Sequence, residues 1–102
     1  MGLLDFLFGN KNKIIEDFMS RDAIIIDVRT KAEFEMGAIP GSKNIPLQII
    51  NSKIKDIKKF KRPVITCCAS GMRSGSAASI LKNQGIEAMN GGGWKSLHLH
   101  IV

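Results

Sequence analysis

The chain has 102 residues, 44% of them hydrophobic, with 15 Lys+Arg against 9 Asp+Glu for a formal charge of +6, and two cysteines. That length holds one compact domain and buries roughly 65% of the unfolded surface, enough for a core without staples. Ordinary apolar content excludes disorder, two cysteines adjacent at Cys67 and Cys68 exclude a disulfide framework, and no run of roughly 18 apolar residues argues a membrane span.

Met1–Gly9 is apolar but short, carries Asp5 and has no basic n-region, so a secretory signal is not expected; Phe6 stands where a myristoylation pattern wants Ser or Thr. Residues 1–11 read as an extension or short helix docked on the domain, and 12–102 as the domain itself. Ile14, Ile15, Phe18 and Met19 recur with helical period and predict a helix over 12–19. Ala23–Val28 (AIIIDV) is a continuous apolar run, which predicts a strand buried on both faces. Thr30 with Glu33 three residues on forms a capping box for the next helix, and Gly37 can end it. Pro40-Gly41 marks a turn, Lys43–Ile45 a short strand, and residues 47–60 one or two helices.

Six basic residues crowd Lys53–Arg62, opposed only by Asp56, with Ile54, Ile57 and Phe60 at intervals of three. The run predicts an amphipathic helix with a solvated basic face. No stacking aromatics accompany it, so nucleic-acid binding is not expected. Pro63–Cys67 (PVITC) is a second buried strand, Ser74–Gln84 a helix stopped by Gly85, Glu87–Asn90 a short strand, and Gly91–Gly93 a tight turn into Trp94. Strands alternating with helices predict an α/β domain: a small, open, mainly parallel sheet of four to five strands with helices on both faces. Reactive groups in such sheets lie at the carboxyl ends of the strands, where Asp27/Arg29, Cys67/Cys68 and the glycines fall.

The stretch Val64–Ser74 (VITCCASGMRS) runs from a strand into a cysteine, a glycine-containing loop and a helix. Loop N–H groups can turn inward as an anion nest, the helix start adds its positive end, and Arg73 a full charge. Each favours thiolate over thiol, so Cys68 is expected to titrate below a free cysteine and act as a nucleophile. Cys67, one residue earlier, faces the other way and reads as a small core residue. Asp27 and Arg29 share a strand-end face and read as an ion-pair network with Glu33, with Arg29 drawing anionic donors toward Cys68 as the alternative. Ser70 and Ser74 could hydrogen-bond the sulfur, Ser74 chiefly by capping its helix. Trp94 reads as core or pocket mouth. The glycine triplet has no following Lys-Ser/Thr and is no P-loop, and His98 and His100 are expected to hold no metal.

Three blocks in order make the chain resemble a single-domain rhodanese (sulfurtransferase) over roughly residues 12–98. They are Ile26–Pro46 (IDVRTKAEFEMGAIPGSKNIP), Cys68–Ser74 (CASGMRS) and Asn90–Trp94 (NGGGW). The resemblance implies a six-residue active loop of Cys68, Ala69, Ser70, Gly71, Met72 and Arg73, followed by Ser74, with Asp27 and Arg29 in support. It implies sulfane-sulfur transfer through a Cys68 persulfide, from a small anionic donor to a thiol, cyanide or protein acceptor. No cofactor or metal is implied, since the sulfur rides on the protein, and the expected setting is cytoplasmic, as a monomer or weak homodimer. Ala38 replaces the family's usual histidine, and Ala69 stands where thiosulfate-preferring members often place a basic residue. The alternatives are a persulfide carrier without turnover and, further off, a phosphatase or arsenate reductase, whose loop has five residues between cysteine and arginine rather than four.

Overall fold

A computed structural model describes residues 10–102, so the expectations for Met1–Gly9 lie outside the described residues. Among the described residues four strands form one sheet: β1 (Ile24–Asp27), β2 (Lys43–Asn44), β3 (Val64–Cys68) and β4 (Ala88–Gly93), in the order β2-β1-β3-β4. Every pairing is parallel. The expected open parallel α/β architecture is therefore the observed one. β1 and β3 are buried at every residue, which is what an unbroken apolar run can satisfy only between two helical layers.

Period two divides those strands between two cores. Ile24, Ile26, Val28, Val64 and Cys68 meet Ile50, Ile57, Ala77 and Leu81 on the first face. Those partners come from the 3-10 segment Leu47–Lys53, from α3 (Ile54–Lys59) and from α4 (Met72–Asn83). On the second face Ile25, Ile65, Cys67 and Met89 meet Ile15, Phe18 and Leu97, carried by α1 (Asn10–Ser20) and α5 (Trp94–Ile101). A fully buried residue such as Ile26 stabilises the fold by roughly 2 kcal/mol relative to exposure.

The capping box is present: Glu33 N–H donates to Thr30 Oγ1 and Thr30 N–H to the Glu33 carboxylate, starting α2 (Lys31–Glu35). Two local expectations change. α4 begins at Met72, not Ser74, because Gly71 at φ +101° turns the chain directly into the helix. The glycine triplet is not a turn but the end of β4, and its pairing with β3 shifts between Thr66 and Cys68. Gly91 has no room for a side chain, since a Cβ would lie 2.7 Å from Ile65 and 2.9 Å from the Thr66 carbonyl oxygen. Residues 94–101, to which the sequence assigned no element, form α5: Leu97 is buried while Leu99 is 82% exposed. The two helices expected over 47–60 are the 3-10 segment and a six-residue α3, which buries Ile57 and turns Lys55, Lys58 and Lys59 outward.

Candidate active site

β3 carries Cys68 to the carboxyl edge of the sheet, and the chain leaves through exposed Ala69 and Ser70 to Gly71. A Cβ on Gly71 would sit 3.3 Å from Gly92 Cα, and one on Gly93 3.0 Å from the Ala69 carbonyl oxygen, so glycines let loop and β4 close on each other. The fold curls three donors around the sulfur. Gly71 N–H lies 3.0 Å from Cys68 Sγ, Ser74 N–H 3.4 Å, and Ser74 Oγ 3.3 Å. Burial resists ionisation here. The Ser74 hydroxyl and the N–H groups of Ser74, Gly71 and Ser70 outweigh it, and the thiol is held below its ordinary value. Met72, the first residue of α4, is 81% exposed at the rim.

Arg73, expected to add its charge near the sulfur, and Arg29, for which that role was the alternative to an ion pair, both take carboxylate partners. Arg73 forms a two-pronged pair with Glu33, at 2.8 and 3.0 Å, tying the active loop to α2. That guanidinium holds the Glu33 carboxyl at about 2. Arg29 makes its charge contacts with Asp27, whose carboxylate oxygens lie 2.7–3.0 Å from Arg29 Nε and Nη2. From Glu33 it takes only the backbone carbonyl, so the expected Asp27–Arg29–Glu33 network does not form as such. Nor does Arg29 reach toward Cys68. It is 5% exposed, donates to the Gly37 carbonyl at 2.7 Å and lies 4.8 Å over the Trp94 ring. Asp27 pairs in register with Cys67, on the second face.

Cys67 lies behind the sheet, as expected. Burial first, then the Asp27 carboxylate, pushes its thiol up to about 12. Ser74, expected as a cap, sits inside the first turn of α4 and is fully buried, with its hydroxyl turned to the sulfur and to Asn90. Ser70 contributes its backbone N–H. Among the described residues no group of three or more His, Cys, Asp or Glu could hold a metal ion.

The residue that sequence reasoning passed over is Asn90. Its Oδ1 accepts from Ser74 Oγ at 2.7 Å and from Gly92 N–H at 2.9 Å, while its Nδ2 donates to the Gly71 carbonyl at 2.9 Å. The signal for it in the sequence is a lone polar residue directly before three glycines.

An open parallel α/β sheet with a thiol at the carboxyl end of a central strand, cradled by a strand–loop–helix turn, defines a class of small thiol-bearing domains. The chain belongs to the rhodanese-like domain family, whose sequence pattern matches residues 11–99. It is 36% identical over 66 residues to a protein named sulfurtransferase from Allochromatium vinosum, covering 65% of this chain and 61% of that one. It is 35% identical over 86 residues to thiosulfate sulfurtransferase GlpE of Pseudoalteromonas translucida, covering 79% and 81%. A solved rhodanese-like domain protein from Staphylococcus aureus superposes with a TM-score of 0.67 at 34% identity, over 74% of each chain. The match to the Allochromatium protein thus spans less than two thirds of that protein's length.

Proposed function

We propose that the chain is a sulfurtransferase working by double displacement through a Cys68 persulfide. The thiolate attacks the sulfane sulfur of a donor such as thiosulfate or a persulfide. The donor S–S bond breaks, its electron pair leaves with sulfite or thiolate, and Cys68–S–S⁻ remains. An acceptor thiolate, cyanide ion or protein thiol then attacks the outer sulfur, and the Cys68 thiolate departs with the pair of electrons. Electrons and atoms balance across the two steps, so the chemistry requires no cofactor.

The observation that carries this reading is the convergence of Gly71 N–H, Ser74 N–H and the Ser74 hydroxyl on one sulfur at 3.0–3.4 Å. Such a cradle stabilises an anion on Cys68 and, one bond further out, on its persulfide. In this reading Ala69, Ser70, Gly71 and Met72 form the cup, Arg73 fastens it to α2, and Asp27 with Arg29 steadies the strand end from behind. The names of the relatives support transfer of sulfur; the donor, the acceptor, a cytoplasmic setting and action as a monomer or weak homodimer belong to the proposal. Phosphoryl chemistry is disfavoured because Arg73, which would have to grip the phosphate, has its fork filled by Glu33.

The test is intact-protein mass spectrometry after exposure to thiosulfate, polysulfide and glutathione persulfide. The native protein should gain sulfur and the Cys68→Ser variant should not. Turnover with cyanide or a thiol then separates an enzyme from a carrier that loads once. No sulfur gained from any donor, or Cys68-dependent hydrolysis of a phosphate ester, would overturn the reading.

A further inference from the structure

The hydrogen bonds around Ser74 cannot all be made at once. Asn90 has a settled orientation: its oxygen must face the Gly92 N–H, which only donates, and its nitrogen the Gly71 carbonyl, which only accepts. Its Oδ1, 2.7 Å from Ser74 Oγ, can therefore only accept, and the Ser74 hydroxyl must donate to it. That hydroxyl owns one hydrogen. While the hydrogen points at Asn90, Ser74 presents lone pairs to Cys68 Sγ at 3.3 Å, an arrangement that suits a neutral S–H donating to Ser74. A thiolate is acceptor-only, and it suits the opposite arrangement, with the hydroxyl hydrogen turned onto sulfur.

We propose that Asn90 is a positioning residue for Cys68, competing with the sulfur anion for the single hydroxyl hydrogen of Ser74. The inference rests on the reading of Cys68 as the reactive thiol. Ionisation of Cys68 pulls the hydrogen off Asn90, and passage of the charge to the outer sulfur of a persulfide lets it swing back. No net proton moves between residues; one O–H rotates. The fold confines this choice. Ser74 is fully buried, so water does not offer its hydroxyl a third partner, and Gly75 lets the amide approach, since a Cβ there would lie 3.2 Å from Asn90 Nδ2.

The consequence for chemistry is a tempered nucleophile. The backbone N–H groups of Gly71 and Ser74 favour the thiolate whatever Ser74 does, and an anion held too firmly attacks poorly. By competing for that one donor, Asn90 leaves the thiolate less stabilised and more reactive per thiolate. Of the charged groups around Cys68, Arg73 from α4 pairs with Glu33 from α2, and Asp27 pairs with Arg29 on the face behind, beside Cys67. Lys11 of α1 brings its Nζ to 3.2 Å from where a Cβ on Gly92 would lie, and it is left unchanged by the substitutions used as the test. β4 itself, Ala88–Gly93, carries no titratable side chain.

The experiment is a cycle of four proteins: native, Asn90→Ala, Ser74→Ala and the double variant. Cys68 ionisation is followed by thiolate absorbance and by the rate of alkylation with neutral iodoacetamide across pH. Asn90→Ala should lower the Cys68 pKa by about half to one unit, with slower alkylation per thiolate. Ser74→Ala should raise it, and Asn90→Ala should add no shift in the Ser74→Ala background. An upward shift for Asn90→Ala, or an equal shift with and without Ser74, would overturn the proposal, because Asn90 would then act only by holding the loop. Should Asn90→Ala not fold, Asn90→Asp replaces it. Its upward shift must be at least about twofold larger in thiolate ratio with Ser74 present than without it, and equal shifts overturn the proposal in the same way. None of these measurements uses a sulfur donor, so their outcome is independent of whether the protein transfers sulfur.

Discussion

Cys67 and Cys68 are neighbours in the chain, both buried and both free, yet the sheet places them in opposite physical worlds. On the first face Cys68 sits where a helix starts and three donors converge, and its thiol is eased toward ionisation. On the second face Cys67 lies in apolar packing beside the Asp27 carboxylate, and its thiol is pushed up to about 12. The difference comes from backbone pleat: one residue of strand rotates a side chain to the other side of the sheet. Reactivity here is a property of the face, not of the residue type.

The largest effect that could break this contrast is chemical. Cys68→Ser should remove sulfur loading altogether while Cys67→Ser keeps most of it, as read by intact mass after donor exposure; equal losses would mean that the two faces cooperate. Next comes the stability of the second face. Asp27→Ala strands a buried guanidinium and should destabilise the fold by about 3–5 kcal/mol. Thermal unfolding should then fall by about 15 °C or more. A fall of only a few degrees would show that the pair is not what holds the strand end.

A third prediction concerns pH. Because the Cys68 pKa is depressed, its thiolate persists below the pH at which a free cysteine protonates. Its alkylation rate should be retained there and be lost only as pH falls through the shifted value. In the Cys68→Ser protein the remaining thiol, on the raised side, should stay unreactive until strongly alkaline pH. The smallest effect belongs to the brace between loop and α2. Glu33 titrates at about 2 in the fold against an ordinary 4.5, so its contribution is present above 4.5 and lost as pH falls through 2. Glu33→Gln should flatten that acid-range dependence in a pH-unfolding curve and lower stability at neutral pH by the same amount, a small one because the pair is more than a third exposed and screened by solvent.

Much of this site could be read before any coordinates. Apolar runs at 23–28 and 63–67 pointed to buried strands, Thr30 with Glu33 to a capped helix, and Cys68 through Ser74 to a loop of defined length. These are local properties, written in periodicity, caps and glycines. What escaped was non-local. Glu33 and Arg73 stand 40 positions apart, so nothing in either neighbourhood says that each neutralises the other. Leu97, Leu99 and Ile101 alternate like a strand, and only packing against Ile15 and Phe18 reveals the helix. Asn90 looked like part of a glycine motif until β4 brought it against Ser74, 16 residues earlier.

By itself the sequence determined the class of fold, the order of its strands along the chain, and that Cys68 and Cys67 face opposite ways. Pleat, helical period and capping act over a few residues and leave a readable trace. Only the tertiary structure decided where the remaining charges and protons go: Arg73 to Glu33, Arg29 onto the Gly37 carbonyl and the Trp94 ring, and the Ser74 hydrogen between Asn90 and sulfur. A charge or a hydrogen bond takes its partner from whatever the fold sets within about 3 Å, and that distance is not written along the chain.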